Sequence, residues 1–188
     1  MTKPEIRKLY KQKRNELSPA VKERLEDLML IQFQSLHLDI PDMVMTYAPI
    51  EAQNEYNPLL IEEHCFFKNP AATLVFPVVD PAANDLKAFA VKEDTFFDLN
   101  EYDIAEPMNG KATLPEAIGL IIVPLLAFDE KGYRVGYGKG YYDKFIKLCR
   151  PGTLKIGFSF FGPEAIDDAN DLDEKLDLCI TPECIYTF

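Results

Sequence analysis

Residues Gly119–Lys144 read GLIIVPLLAFDEKGYRVGYGKGYYDK. The run Gly119–Leu126 is apolar on every face apart from Pro124, the pattern of a strand buried inside a sheet. A turn signal follows at Asp129-Glu130-Lys131-Gly132. Three alternating glycines come next, Gly136, Gly138 and Gly140, flanked by Arg134 and Lys139, and Tyr141-Tyr142-Asp143 opens a helix. Glycines this close let backbone N–H groups converge without interference from Cβ atoms, which makes a concave anion site. The lysine adds a mobile full charge for a phosphate, and the arginine a planar clamp for a second oxygen pair. The segment reads as phosphate chemistry, with a nucleotide as the expected ligand.

The loop is neither of the common phosphate fingerprints. A Walker loop places four residues between its first glycine and Gly-Lys-Ser/Thr, and no Ser or Thr follows Lys139. The dinucleotide fingerprint needs a third glycine three positions after the second, whereas these alternate. Glycines alone favour a plain hairpin with a lysine in water. Lys139, Arg134 and Asp143 together turn the reading toward an anion site, because they add a phosphate partner and a magnesium partner.

Working outward, Thr2 and Glu5 have capping-box spacing for a helix continuing to about Leu17. Its wheel carries an apolar stripe of Ile6, Leu9, Tyr10 and Leu17, with Lys3, Arg7 and Arg14 on the adjacent row. Ser18-Pro19 starts a second helix to about Leu36, and Asn57-Pro58 a third to about Phe67. Strands are expected at Met43–Tyr47, Thr73–Val79, Leu86–Val91, Leu154–Phe158 and Leu178–Thr181, with Asp94–Lys111 irregular. Strands alternating with helices predict a single α/β domain over 1–188, three αβα layers around a mixed, largely parallel sheet. Ligands in such sheets gather at the carboxyl ends of strands, where the glycine loop lies.

A chain of 188 residues is long enough to bury about 70% of its unfolded surface. No apolar stretch reaches the ~20 residues of a membrane span, and the N-terminal residues do not read as a secretory signal. The four cysteines lack Cys-x-x-Cys spacing and read as reduced thiols of a cytoplasmic protein. His37 and His64 are the only histidines, too few for a histidine metal cluster. The net charge of −11 argues against nucleic-acid binding. Within residues 1–24, however, eight cations stand against three glutamates, so a basic helix sits on an acidic body. The acidic tract Glu164–Asp177 lacks the EF-hand pattern and reads mostly as a solvated loop.

The residues resemble the 5-formyltetrahydrofolate cyclo-ligase family. The resemblance rests on Pro124, Ala127, Phe128, Asp129, Gly132 and Arg134, then Gly136 to Asp143. It extends to Lys3 and Arg7, to Ile50 and Glu55, to Ile104, Glu106 and Pro107, and to Asp173 and Asp177. Two positions depart from the family's pattern, Leu125 in place of a glycine and Asn57 in place of a threonine; both are expected to bear on pocket shape.

The resemblance implies a fold of the NagB/RpiA/CoA-transferase kind. It also implies ATP- and Mg2+-dependent closure of 5-formyltetrahydrofolate to 5,10-methenyltetrahydrofolate. Carried onto this chain, the nucleotide falls to Lys3, Arg7, Arg134, Gly136, Tyr137, Gly138, Lys139, Gly140, Tyr141 and Tyr142. Catalytic roles fall to Lys139, Arg134 and Tyr142. Glu55 would accept from the pterin N–H edge, with Ile50 and Tyr141 or Tyr142 packing its ring. Asp143 is the favoured magnesium carboxylate and Asp173 the second. A monomer or weak homodimer that binds neither nucleic acid nor membrane is expected. Two other classes fit the residues less well: a non-catalytic folate or nucleotide carrier, and a sugar-phosphate isomerase of similar architecture.

Overall fold

A computed structural model describes all 188 residues. The chain runs α1 (Lys3–Asn15), α2 (Pro19–Ser35), β1 (Met43–Met45), α3 (Leu59–Lys68), β2 (Thr73–Asp80) and β3 (Asp85–Ala90). It continues through β4 (Phe97–Leu99), β5 (Ala105–Pro107), β6 (Lys111–Thr113), β7 (Leu120–Val123), β8 (Ala127–Phe128) and β9 (Arg134–Val135). It closes with α4 (Tyr141–Ile146), β10 (Leu154–Phe158), β11 (Leu178–Ile180) and β12 (Ile185–Thr187).

Eight strands form one sheet in the order β12-β11-β10-β7-β1-β2-β3-β6. The centre is parallel, from β11 through to β2, and the edges add antiparallel partners. All four residues of β7 are buried because the strand lies mid-sheet and both its faces are covered. Leu120 and Ile122 face Met29 and Phe33 of α2 and Ile61 of α3. Ile121 and Val123 point the other way, toward Phe145 and Ile146 of α4. On the first face the buried Tyr56 ring stacks on Phe158, centroids 4.7 Å apart and planes within 3°.

Pro124 has no N–H to continue the ladder, and the sheet strand ends at Val123, three residues before the expected Leu126. The chain then leaves the sheet as a two-stranded arm, β8 paired with β9. Asp129 makes the reversal, its Oδ1 accepting from the Lys131 and Tyr133 N–H groups at 2.9 Å each. Gly132 completes it at φ +87°. Helix α1 lies on this arm, Ile6 and Tyr10 packing against Leu126, Ala127 and Val135. The glycine loop therefore projects beyond the carboxyl end of β7, beside the chain leaving the carboxyl end of β1.

The structure corrects several expectations. Residues 94–111 are not irregular throughout, since β4 and β5 pair there as a hairpin. Its strands are only three residues long, too short for the alternation Phe97-Asp98-Leu99 or Ala105-Glu106-Pro107 to mark them. The tract 164–177 is a loop with half its residues exposed, but it is also a strap bonded to distant parts of the chain. The Met1 ammonium pairs with Asp167 at 2.8 Å, and the Lys3 N–H donates to Asp168 at 2.7 Å. Neither departure from the family pattern reaches a pocket wall. Leu125 is buried over Gly157, where an added Cβ would collide with it, and Asn57 accepts from the Leu59 N–H to cap α3.

Candidate functional site

A cleft of about 570 Å³ opens between α1, the arm, α4 and the β4–β5 hairpin. All fourteen candidate residues from the sequence line it, Lys3 and Arg7 on α1 and Ile50 and Glu55 on the loop after β1. Arg134 comes from β9, Gly136–Gly140 from the loop, Tyr141, Tyr142 and Asp143 from α4, and Asp173 from the strap.

Gly138 sits at φ +95° and Gly140 at φ +70°, a backbone shape that disfavours any side chain. Gly138 also lies beneath the Arg7 guanidinium, which a Cβ would meet at 3.1 Å. Arg7 Nε donates to the Gly136 carbonyl at 2.9 Å, so α1 holds the loop in place. The N–H groups of Tyr137, Gly138, Lys139 and Gly140 donate to no protein acceptor. Lys139 is exposed and forms no ion pair.

The other cations of the cleft already have partners. Arg134 is buried, its Nη2 3.1 Å from Asp143 Oδ1 and its Nη1 donating to the Glu174 carbonyl. Burial pulls the Arg134 pKa down, and the Asp143 carboxylate opposes that pull. Asp143 Oδ1 also accepts from the Glu174 N–H at 2.9 Å. Lys3 Nζ is bonded to both oxygens of Asp173. The two magnesium candidates thus each face a cation, and the cleft holds no group of three or more metal-binding side chains.

On the cleft wall Glu55 is only 2% exposed. Its Oε2 accepts from the Ile50 N–H at 2.8 Å and its Oε1 from the Tyr137 hydroxyl at 2.7 Å. Burial raises its pKa, while the Ile50 N–H, the Arg14 charge and the Tyr137 hydroxyl push the other way. Two polar atoms of the cleft, Gln53 Oε1 and the Tyr142 hydroxyl, are buried with no hydrogen-bond partner. Such orphans are rare unless a ligand or water completes them.

Sequence reasoning missed Gln53, and it placed Arg14 only on the basic row beside the apolar stripe. Arg14 is instead 2% exposed behind the cleft, donating to the Tyr137 hydroxyl and the Leu125 carbonyl. Lys11, also unassigned from sequence, reaches the cleft with its Nζ 5.3 Å above the Tyr137 ring. Asp177 lies outside the cleft, and Glu106, which lines it, also ties the fold together. Glu106 accepts from the Val79 N–H and the Asn100 amide, stapling the hairpin to β2, and Asp177 holds the start of β10 through Lys155.

The model of the 5-formyltetrahydrofolate cyclo-ligase family matches residues 1–159. This chain belongs to that family. A 5-formyltetrahydrofolate cyclo-ligase of Mycoplasma genitalium is 28% identical over 180 residues, 95% of this chain and 96% of the relative. One of Mycoplasma pneumoniae is 27% identical over 97% of this chain and the whole of that protein. The solved 5,10-methenyltetrahydrofolate synthetase of Aquifex aeolicus superposes with a TM-score of 0.79 at 28% identity, covering 100% of this chain and 93% of that one. A second solved synthetase, from Mycoplasma pneumoniae, shares the fold at TM-score 0.73 and 24% identity. The cyclo-ligases are ligases, and this member has their mixed α/β sheet with flanking helices. The match to the family model contains every candidate site residue except Asp173.

Proposed function

We propose that this cyclo-ligase family member converts 5-formyltetrahydrofolate to 5,10-methenyltetrahydrofolate, consuming ATP with Mg2+ and releasing ADP and phosphate. The observation that carries this reading is the cleft itself. Four idle amides and one unpaired lysine line the same cleft as a buried carboxylate. A formamide oxygen is a poor leaving group. Transfer of the γ-phosphoryl group to it breaks one P–O bond of ATP and forms another. N10 then attacks the activated carbon, the C–O bond breaks, and phosphate leaves as N10 gives up its proton. Phosphoryl transfer of this kind depends mainly on positioning and charge neutralisation. The loop amides and Lys139 supply both at the phosphates, with Arg7 and Arg134 fixing the loop and the arm that carry them. Glu55 accepts from the pterin N–H edge, and Ile50, Tyr141 and Tyr142 pack the ring.

Magnesium usually takes one or two protein carboxylates along with phosphate oxygens and water. Asp143 fits that demand, because both its hydrogen-bonded contacts fall on Oδ1. Asp173 fits second, after release of Lys3. When bound, the ion would neutralise phosphate charge. The four cysteines are all free thiols, in line with a cytoplasmic enzyme.

The test is spectrophotometric. Near-ultraviolet absorbance of the methenyl product should rise only with 5-formyltetrahydrofolate, ATP and Mg2+ together. Binding of both ligands without such a rise would leave a carrier, and turnover of a sugar phosphate without ATP would make the chain an isomerase.

A further inference from the structure

Arg14 is buried and takes part in none of the direct ion pairs. An unpaired buried charge costs several kcal/mol, so its compensation has to come through an intermediary. The hydrogen bonds supply one. Arg14 Nη1 lies 3.1 Å from the Tyr137 hydroxyl, and that hydroxyl lies 2.7 Å from Glu55 Oε1. A guanidinium only donates and a phenol has one proton, so the direction of the chain is fixed. Tyr137 accepts from Arg14 and must spend its proton on Glu55. The Ile50 N–H fixes Oε2 as an acceptor in the same way. A second tie holds the two together, since Asn54 Nδ2 donates to the Arg14 carbonyl at 2.7 Å and the Leu17 carbonyl at 3.1 Å.

We propose that Arg14 is a positioning residue that acts through the Tyr137 hydroxyl to hold Glu55 as an anion at the cleft wall. Its consequence for folate rests on the reading that Glu55 accepts from the pterin edge. The groups facing Glu55 are Arg14 from α1, Lys22 from α2, Tyr47 after β1, Tyr137 from the loop and Tyr142 from α4. Of these, only Arg14 and Lys22 are cations, and only Arg14 is linked to it by hydrogen bonds. Burial alone drives the carboxyl toward its protonated form, and a neutral Glu55 would present a donor where an acceptor is needed.

The experiment follows the Glu55 side-chain carboxyl carbon by NMR in glutamate-labelled, ligand-free protein, assigned with Glu55→Gln. Arg14→Gln should raise its titration midpoint by about one pH unit or more, and Arg14→Lys should keep it near the parent value. In turnover, Arg14→Gln should raise KM for folate about tenfold at neutral pH and more at lower pH, with KM for ATP little changed. If Arg14→Gln does not fold, Tyr137→Phe breaks the same link and should also raise the midpoint. An unchanged midpoint in a folded variant overturns the proposal. A raised midpoint with an unchanged folate KM upholds the hold on Glu55 and overturns instead the pterin reading.

Discussion

Lys3 Nζ donates to both carboxylate oxygens of Asp173, at 2.7 and 2.5 Å, although 170 residues separate the two. Both side chains are largely withdrawn from solvent, 14% and 16% exposed. The pair lines the cleft with its charge already neutralised. On the proposed reading, a nucleotide has to take Lys3 from Asp173, its phosphates accepting from the ammonium while a cation takes Lys3's place on the carboxylate. Asp173→Asn is therefore expected to tighten ATP binding about fivefold without Mg2+, the equivalent of ~1 kcal/mol, and to shrink the benefit of added Mg2+. Calorimetry with and without MgCl2 measures both, and parental affinities in the variant would mean that the pair opens freely.

Two glycines of the same loop should respond differently to alanine. Gly138 has a positive φ and lies under the Arg7 guanidinium, so Gly138→Ala adds strain of about 1–2 kcal/mol and lifts Arg7 from the loop. Its Tm should fall by several degrees, with weaker nucleotide binding. A Cβ at Gly136 would meet nothing within 4 Å, so Gly136→Ala should keep the parental Tm. Scanning calorimetry on the pair decides it; equal losses would refute the contrast.

Lys139 is exposed and unpaired, which separates its chemistry from folding. Lys139→Ala should leave Tm unchanged and lower kcat about 10²-fold, the typical cost of losing one preorganised charge donor. Turnover within a few-fold of the parent would remove this lysine from the reaction.

Glu62 on α3 is buried, and its Oε1 accepts from the Thr46 hydroxyl at 2.6 Å. Burial raises its pKa more than that hydrogen bond lowers it. The folded state thus keeps this proton to higher pH than the unfolded chain, whose ordinary value is 4.5. Stability from this group falls as pH rises from there through the raised folded value. Glu62→Gln removes the penalty, so a gain on the order of 1 kcal/mol is expected at pH 8 and little at pH 4. Urea unfolding at both values checks this, and a pH-independent gain would assign the effect to packing.

The order of elements and most of the cleft were legible because their signals are local. The apolar run before Pro124, the turn at Asp129–Gly132 and the alternating glycines each announce themselves within a few residues. What stayed hidden depends on partners far away in the chain. Arg14 shares a helix face with Lys3 and Arg7, and its bonds to Leu125 and Tyr137, over 100 residues away, appear only once the chain is folded. The strap reads as a solvated acidic run until the Met1 ammonium, Lys3 and Arg134 are brought to it. Gln53 carries no motif, and its unmet oxygen shows only in three dimensions.

The idle donors between Tyr137 and Gly140 are main chain. Only a change to proline deletes such a donor, and its fixed negative φ does not fit Gly138 at +95° or Gly140 at +70°. An inhibitor that hydrogen-bonds there would meet resistance chiefly through torsion angles, and at those two glycines the angles are set by folding itself. A mutant enzyme that escapes such a compound by altering this loop would have to give up part of its own stability.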